Sequence, residues 1–151
     1  MLTKLDPKYV AGLFDGEGSI HIRSKNEHNY RMQIDLTMTD RTLPDLLLQQ
    51  YGGEVRPYKP KDKPHWKERY AWRLWSTEQF KKFLPDIEPY VVLKKERVQL
   101  ALMFVETFEF SETRAPLEPE VVEVRKEIAD LITLLNRKGV LIEEEEHAPV
   151  D

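Results

Sequence analysis

Val10-Ala11-Gly12-Leu13-Phe14-Asp15-Gly16-Glu17-Gly18, or VAGLFDGEG, holds three of the six glycines in the chain. A glycine inside a helix costs about 1 kcal/mol relative to alanine, so Gly12 and Gly16, one turn apart, need a reason. Close backbone approach is one: Ala11, Gly12 and Gly16 form a smooth strip on which a second helix can lie. That helix could come from the same subunit or from another molecule. Glu17 sits at the end of the segment, where the helix dipole and unpaired carbonyls are already negative. A cation would relieve it, and carboxylate and carbonyl oxygens together suit a hard ion such as Mg²⁺ or Ca²⁺. A solvated glutamate is the plain alternative.

Working outward, Pro7 suits a first helical turn, and a helix is expected from Lys8 to Phe14 or Asp15, ended by Gly18 in a left-handed conformation. From Ile20 the period changes to two. Ile20, Ile22, Met32, Ile34, Leu36 and Met38 alternate with His21, Arg23, Lys25, Arg31, Gln33, Asp35 and Thr37, which predicts two strands joined by a polar turn around Asn26–Asn29. Asp40 is placed to cap a helix with Pro44 in its first turn, a stripe of Leu43, Leu46 and Leu47, and a stop at Gly52-Gly53. Val55, Arg56 and Tyr58 begin a second strand pair, with a Pro- and Lys-rich loop and a return strand from Trp66 to Trp75. On that strand Tyr70, Trp72 and Leu74 alternate with Lys67, Arg69, Ala71 and Arg73. Ser76 and Gln79 form a capping box for a helix stopping near Pro85. Longer helices follow over about Val91–Phe108 and residues 118–138, linked by a loop at Ser111–Pro116.

The expected fold is therefore α+β: two hairpins in one four-stranded antiparallel sheet, helices on one face and a polar face left open. The 151 residues make one domain over residues 1–140, with a core at about 5–108 and an acidic tail at 141–151 expected to be disordered. No apolar run reaches the roughly 18 residues of a membrane span. The opening MLTKLDPKYV lacks the apolar stretch of a secretory leader. An intracellular protein is expected, cytoplasmic or nucleoid-associated, with an organellar compartment left open. The absence of cysteine excludes a disulfide scaffold, a thiol nucleophile and a Cys-ligated zinc site. His21, His28, His65 and His147 show no zinc-ligand spacing.

The net charge of −4 conceals an uneven distribution. Residues 1–110 carry 18 basic and 16 acidic side chains, residues 111–151 carry 5 and 11, and Glu54–Arg73 carries 7 and 3. Local charge governs attraction to a polyanion, so a basic surface stays available despite the total.

The nine-residue string, the alternating strand after it and the αββαββα order together resemble the LAGLIDADG motif and core of homing endonucleases and related maturases. The resemblance covers about Leu5–Phe108 and is compatible with the last helix. It implies that Glu17 is a catalytic metal ligand with the Gly16 carbonyl beside it, one methylene longer than the usual aspartate. The segment PYVVLKKERV resembles the family stretch carrying an active-site lysine, which falls on Lys94, with Lys95 as the competing choice. Snorkelling of Lys94 to solvent is its ordinary reading. The third family position falls on Asp40, where a helix cap explains the residue equally well. Asp15 reads as structural, at the helix end.

One motif copy implies a homodimer whose interface includes Val10, Ala11, Gly12, Leu13, Asp15 and Gly16, and a roughly palindromic double-stranded DNA site. Strand period gives the DNA face as His21, Arg23, Lys25, Arg31, Gln33, Asp35 and Thr37 on the first hairpin, and Arg56, Tyr58, Arg69 and Arg73 on the second. Arg and Gln suit base edges, whereas Lys59, Lys61, Lys63 and Lys67 suit phosphates. Asp35 could accept from cytosine or pair with a neighbouring arginine. The implied reaction is metal-assisted phosphodiester hydrolysis by an intron-encoded enzyme using Mg²⁺, with Ca²⁺ as a non-cleaving substitute and Mn²⁺ as a further candidate. The competing readings are a non-cleaving relative, such as an RNA maturase or DNA-binding regulator, and a plain α+β domain whose glycines only pack.

Overall fold

The computed structural model describes residues 4–26, 29–109 and 118–137. The acidic tail, the Ser111–Pro116 connection, His28 and His147 lie outside the described residues. The elements are α1 (Pro7–Glu17), β1 (Gly18–Asn26), β2 (Asn29–Met38), α2 (Thr42–Tyr51), β3 (Glu54–Tyr58), β4 (Arg69–Leu74), α3 (Thr77–Ile87), α4 (Lys95–Glu109) and α5 (Pro119–Asn136). The expected α+β order holds. The strands form one antiparallel sheet in the order β1-β2-β4-β3. No helix among the described residues is long and apolar enough to cross a membrane.

The apolar half of each alternating pattern builds the core. Ile20, Ile22, Met32, Ile34, Leu36, Trp72 and Leu74 are buried in one cluster with Val10, Phe14, Leu47, Tyr51, Phe83, Val98, Phe104 and Ile132 of the helices. Phe83 is its centre, with the rings of Trp72 and Tyr51 both at 5.1 Å and that of Phe14 at 5.5 Å. Each large apolar side chain buried this way contributes roughly 1.5–3 kcal/mol relative to exposure. Trp72 Nε1 donates to the Gly52 carbonyl at 2.9 Å, so the indole enters the core with its polar edge satisfied. Gly52 and Gly53 end α2 with φ of 84° and 93°, the left-handed region that favours glycine.

Gly18 is a different case. Its φ of −83° and ψ of 159° are extended, not left-handed as expected, and α1 runs on to Glu17. Glycine is required there because a Cβ would overlap the Phe14 ring. The Asp6 carboxylate caps the other end of α1, accepting from the Lys8 N–H at 2.8 Å.

Three further boundaries differ from expectation for visible reasons. The helix α3 begins with the expected Ser76–Gln79 capping box but continues past Pro85. Burial of Ile87 holds the extra residues, and the Glu88 N–H still reaches the Leu84 carbonyl at 2.9 Å. The helix α4 starts at Lys95 rather than Val91, since the backbone N–H groups of Val92 and Lys94 are taken by the Asp15 carboxylate. The strand β4 starts at Arg69 rather than Trp66. The Trp66 ring lies in the loop between the cations of Lys63, at 4.0 Å, and Arg69, at 4.9 Å.

Candidate functional site

Two features meet at the C-terminal end of α1. The Asp15 carboxylate accepts from Val92 N–H at 2.8 Å and Lys94 N–H at 3.0 Å, tying residues 92–94 to the helix end. In return Lys94 Nζ donates to the Phe14 carbonyl at 3.1 Å and the Asp15 carbonyl at 2.6 Å. A cation ahead of α4 is disfavoured by that helix, but the same ammonium lies on the negative end of α1, where it is favoured. Partial burial is the main reason the Lys94 pKa lies below the usual 10.5; Arg97 adds to this, while Asp15 and Glu17 pull it back up. The neighbouring Lys95 turns away and donates to the Glu88 carbonyl at 3.2 Å.

Glu17 is exposed at this junction and Gly16 is exposed beside it. Among the described residues no three His, Cys, Asp or Glu side chains converge into a metal cluster. Asp40 follows β2 beyond the Gly18–Leu36 pair, toward the α1 end of the hairpin. Its carboxylate accepts from the Thr42 N–H at 2.7 Å, and the Thr42 hydroxyl and N–H hold its pKa below the usual 3.8. The N-cap position of α2 falls instead on Arg41, which makes no side-chain cap bond, and Asp40 stands one residue before it, bound to the Thr42 N–H.

The glycine strip is open. Among the described residues a Cβ on Gly12 or Gly16 would meet nothing within 4 Å, and Tyr9, 52% exposed, extends the same face. Two expected interface residues are corrected: Val10 and Ala11 are 0% exposed and belong to the subunit's own core. Leu13 and Asp15 are half-buried. The sequence reading missed Val92 and Leu93, which stand 83% and 72% exposed beside the end of α1. Two adjacent apolar residues outside any periodic face were the available signal.

The register brings the expected polar residues onto one face. Arg23 pairs with Arg31, His21 with Gln33, and Ser19 with Asp35. Asp35 continues to Arg73, Thr37 to Ala71, and from β4 Arg73 meets Glu54, Ala71 meets Arg56 and Arg69 meets Tyr58. Lys25 falls where the register shifts between Ser24 and Asn26. Lys59, Lys61, Lys63 and Lys67 lie between β3 and β4, Lys63 against Trp66. A cleft of about 1020 Å³ runs along the first hairpin, lined by His21, Arg23, Arg31, Gln33 and Trp75 among others.

Asp35 pairs with no arginine among the described residues: its carboxylate takes the Ser19 hydroxyl at 2.5 Å and Gln33 Nε2 at 3.0 Å. Glu54 is a second acid on this face that the period reading overlooked, bound by Arg56 Nε at 2.9 Å. Arg73 lies between the two acids in register, its Nε buried with no hydrogen-bond partner among the described residues. Ala71, on the polar side of the alternation, is buried.

The subunit combines an α+β fold and a cation-rich open sheet face with an exposed acid at the end of a helix whose outer strip is glycine. The fold is that of the LAGLIDADG homing endonucleases. The homing endonuclease I-TnaI superposes with a TM-score of 0.68 at 20% identity, covering 90% of this chain and 99% of that one. The archaeal intron-encoded homing endonuclease I-Vdi141I, complexed with DNA, gives 0.70 at 13% identity over 85% and 82%. The LAGLIDADG homing endonuclease I-SmaMI, bound to cleaved DNA, gives 0.64 at 24% identity, over 83% of this chain and 43% of its own. I-SmaMI has also been solved on an uncleaved target with calcium. No protein-family profile and no curated protein sequence matches the chain.

Proposed function

We propose that the chain is a site-specific DNA endonuclease of the intron-encoded kind, working as a homodimer with a divalent metal on a long pseudo-palindromic duplex. The observation that carries this reading is the junction at the end of α1. There an exposed carboxylate, Glu17, adjoins the anchored ammonium of Lys94 and an open, side-chain-poor strip. Two copies packed through Gly12, Gly16, Tyr9, Val92 and Leu93 would bring two such junctions together at the edge of two basic sheet faces.

The donor set fits a hard cation. The Glu17 carboxylate and the Gly16 carbonyl would hold Mg²⁺, which binds through one or two carboxylates and keeps waters and substrate phosphate oxygens in its shell. A single carboxylate per chain is therefore enough once a partner and DNA contribute. The ion supplies water activation and stabilisation of the leaving oxygen. Calcium is expected to hold the complex without cutting, and Mn²⁺ to replace Mg²⁺. An ammonium has three hydrogens, and Lys94 spends two on carbonyls. The third is available to a phosphate oxygen as negative charge builds in the transition state. Asp40, exposed at the same end of the hairpin, would orient water. Arginines and Gln33 on the sheet face would read bases, and the lysines of the β3–β4 connection would hold phosphates.

The test is incubation with Mg²⁺ and a plasmid carrying the uninterrupted junction of the host gene. Wild-type protein should break both strands, and Glu17→Gln should bind with little loss yet leave the plasmid intact. Wild-type protein that binds but never cuts would favour the non-cleaving reading, a maturase or regulator.

A further inference from the structure

We propose that Ser19 and Asp35 act as a positioning relay that locks the amide of Gln33 to read adenine in the major groove. The inference deepens the proposed function and rests on its DNA-binding face. The chemistry allows only one arrangement. An ionised carboxylate is acceptor-only, so the group that Gln33 turns toward Asp35 Oδ2 at 3.0 Å must be its Nε2 amine, not its carbonyl oxygen. Asp35 cannot swing away freely, because its other oxygen holds the Ser19 hydroxyl at 2.5 Å from the directly paired position on β1. The three residues thus form a chain of fixed polarity, Ser19 to Asp35 from one side and Gln33 to Asp35 from the other.

A free glutamine amide presents donor and acceptor in either order. With one Nε2 hydrogen given to Asp35, Gln33 keeps one N–H and the Oε1 acceptor in a set order. Adenine offers the matching pair in the major groove, an N7 acceptor and an N6 donor. Gln33 is half-exposed on the polar side of β2, with exposed Arg23 and Arg31 on the same side, so a duplex on that face can reach it. Of the other groups facing it, His21 lies opposite on β1, and Arg73 lies opposite Asp35 on β4 without forming an ion pair to it among the described residues. Each carboxylate oxygen of Asp35 takes one bond from within the subunit, Ser19 on one and Gln33 on the other, which places it to position Gln33.

The experiment is selection from a randomised duplex pool, in calcium to hold the complexes uncut, with wild type, Gln33→Ala and Asp35→Asn. Wild type should demand adenine at one position in each half-site, and replacing that base with 7-deazaadenine should weaken binding about tenfold. Gln33→Ala should lose the preference there and nowhere else. Asp35→Asn, which can both donate and accept, should let the amide flip and flatten the same position while thermal midpoint and the remaining profile stay unchanged. Removing the negative charge alone would instead raise affinity uniformly across sequences. Selection by wild type with that position unchanged in either variant would overturn the relay while leaving the DNA-binding reading intact. A wild-type protein that enriches no sequence would overturn both.

Discussion

Lys94 and Asp15 are joined twice, Lys94 donating each time, once from its side chain and once from its backbone. The Lys94 ammonium donates to the Asp15 carbonyl at 2.6 Å, and the Asp15 carboxylate accepts from the Lys94 N–H at 3.0 Å. The clasp fastens the turn before α4 to the end of α1, so the backbone that carries Glu17 and the side chain of Lys94 move as one unit. It also explains why a lysine occupies a helix start: its charge serves the neighbouring helix.

Replacing Lys94 by methionine keeps the stem and removes the charge. The variant should lose about 1–2 kcal/mol of stability in urea unfolding, since charge-assisted bonds to carbonyls are broken at a half-buried site. Cleavage should fall much further than stability does. In the wild type, the alkaline limb of the cleavage rate should set in below the usual lysine value of 10.5, because burial favours loss of the proton. A limb at or above that value would separate Lys94 from the chemistry.

The glycines of one motif should respond in opposite ways. Gly18→Ala drives a methyl group into the Phe14 ring, and overpacking of this kind costs about 1–3 kcal/mol. The thermal midpoint should drop by about 2–4 °C per kcal/mol. At Gly12 an added Cβ would meet nothing within 4 Å among the described residues, so the fold should survive Gly12→Leu while sedimentation shows dissociation to monomers. A dimer of unaltered mass would remove the α1 strip from the interface.

Tyr51 should titrate well above the usual tyrosine value of 10.0. Burial first, then its bond to Asp86 Oδ2 at 2.9 Å, push its pKa up to about 12. The folded protein holds this proton more tightly than the unfolded chain does. The stabilisation is therefore complete below the ordinary value of 10.0 and is lost as pH rises through about 12. Tyr51→Phe should remove one late phase from a spectrophotometric titration; identical curves would count against the assignment.

Asp40 should contribute at the acid end, with the opposite sign. Its folded pKa lies below 3.8, so its contribution is present above that value and lost as pH falls through the folded one. Asp40→Asn can still cap Thr42 and should match wild-type stability at neutral pH while losing this acid dependence in unfolding curves.

Trp66 should govern how the β3–β4 loop meets phosphate. Its ring sits against Lys63 and Arg69, holding two cations in place. Trp66→Ala should weaken DNA binding and make its salt dependence shallower by about one phosphate contact, a change of roughly 0.9 in the logarithmic slope. Trp66→Phe should largely restore both, as measured by titration at several salt concentrations.

The alternation from Ile20 to Met38 was enough to assign each side chain to a face, because a strand has period two and a buried face rejects charge. The register then set Arg23 beside Arg31 and His21 beside Gln33 on the polar side, as that alternation requires. Glycine placement was harder to read. Gly12, Gly16 and Gly18 look alike in the sequence, yet two border open space and the third faces an aromatic ring. Ala11, expected in the smooth strip, is core, since a helix turns about 100° per residue and a one-residue step changes face.

Sequence alone determined the α+β order, the polar sheet face and the special character of the VAGLFDGEG helix, because these depend on local period and backbone cost. Tertiary structure decided which charges meet. Lys94 finds carbonyls 79 and 80 residues away in sequence, and Asp35 chooses Ser19 and Gln33 over Arg73. Hydrogen bonds depend on distances of a few tenths of an ångström and on competing partners, which no linear pattern carries.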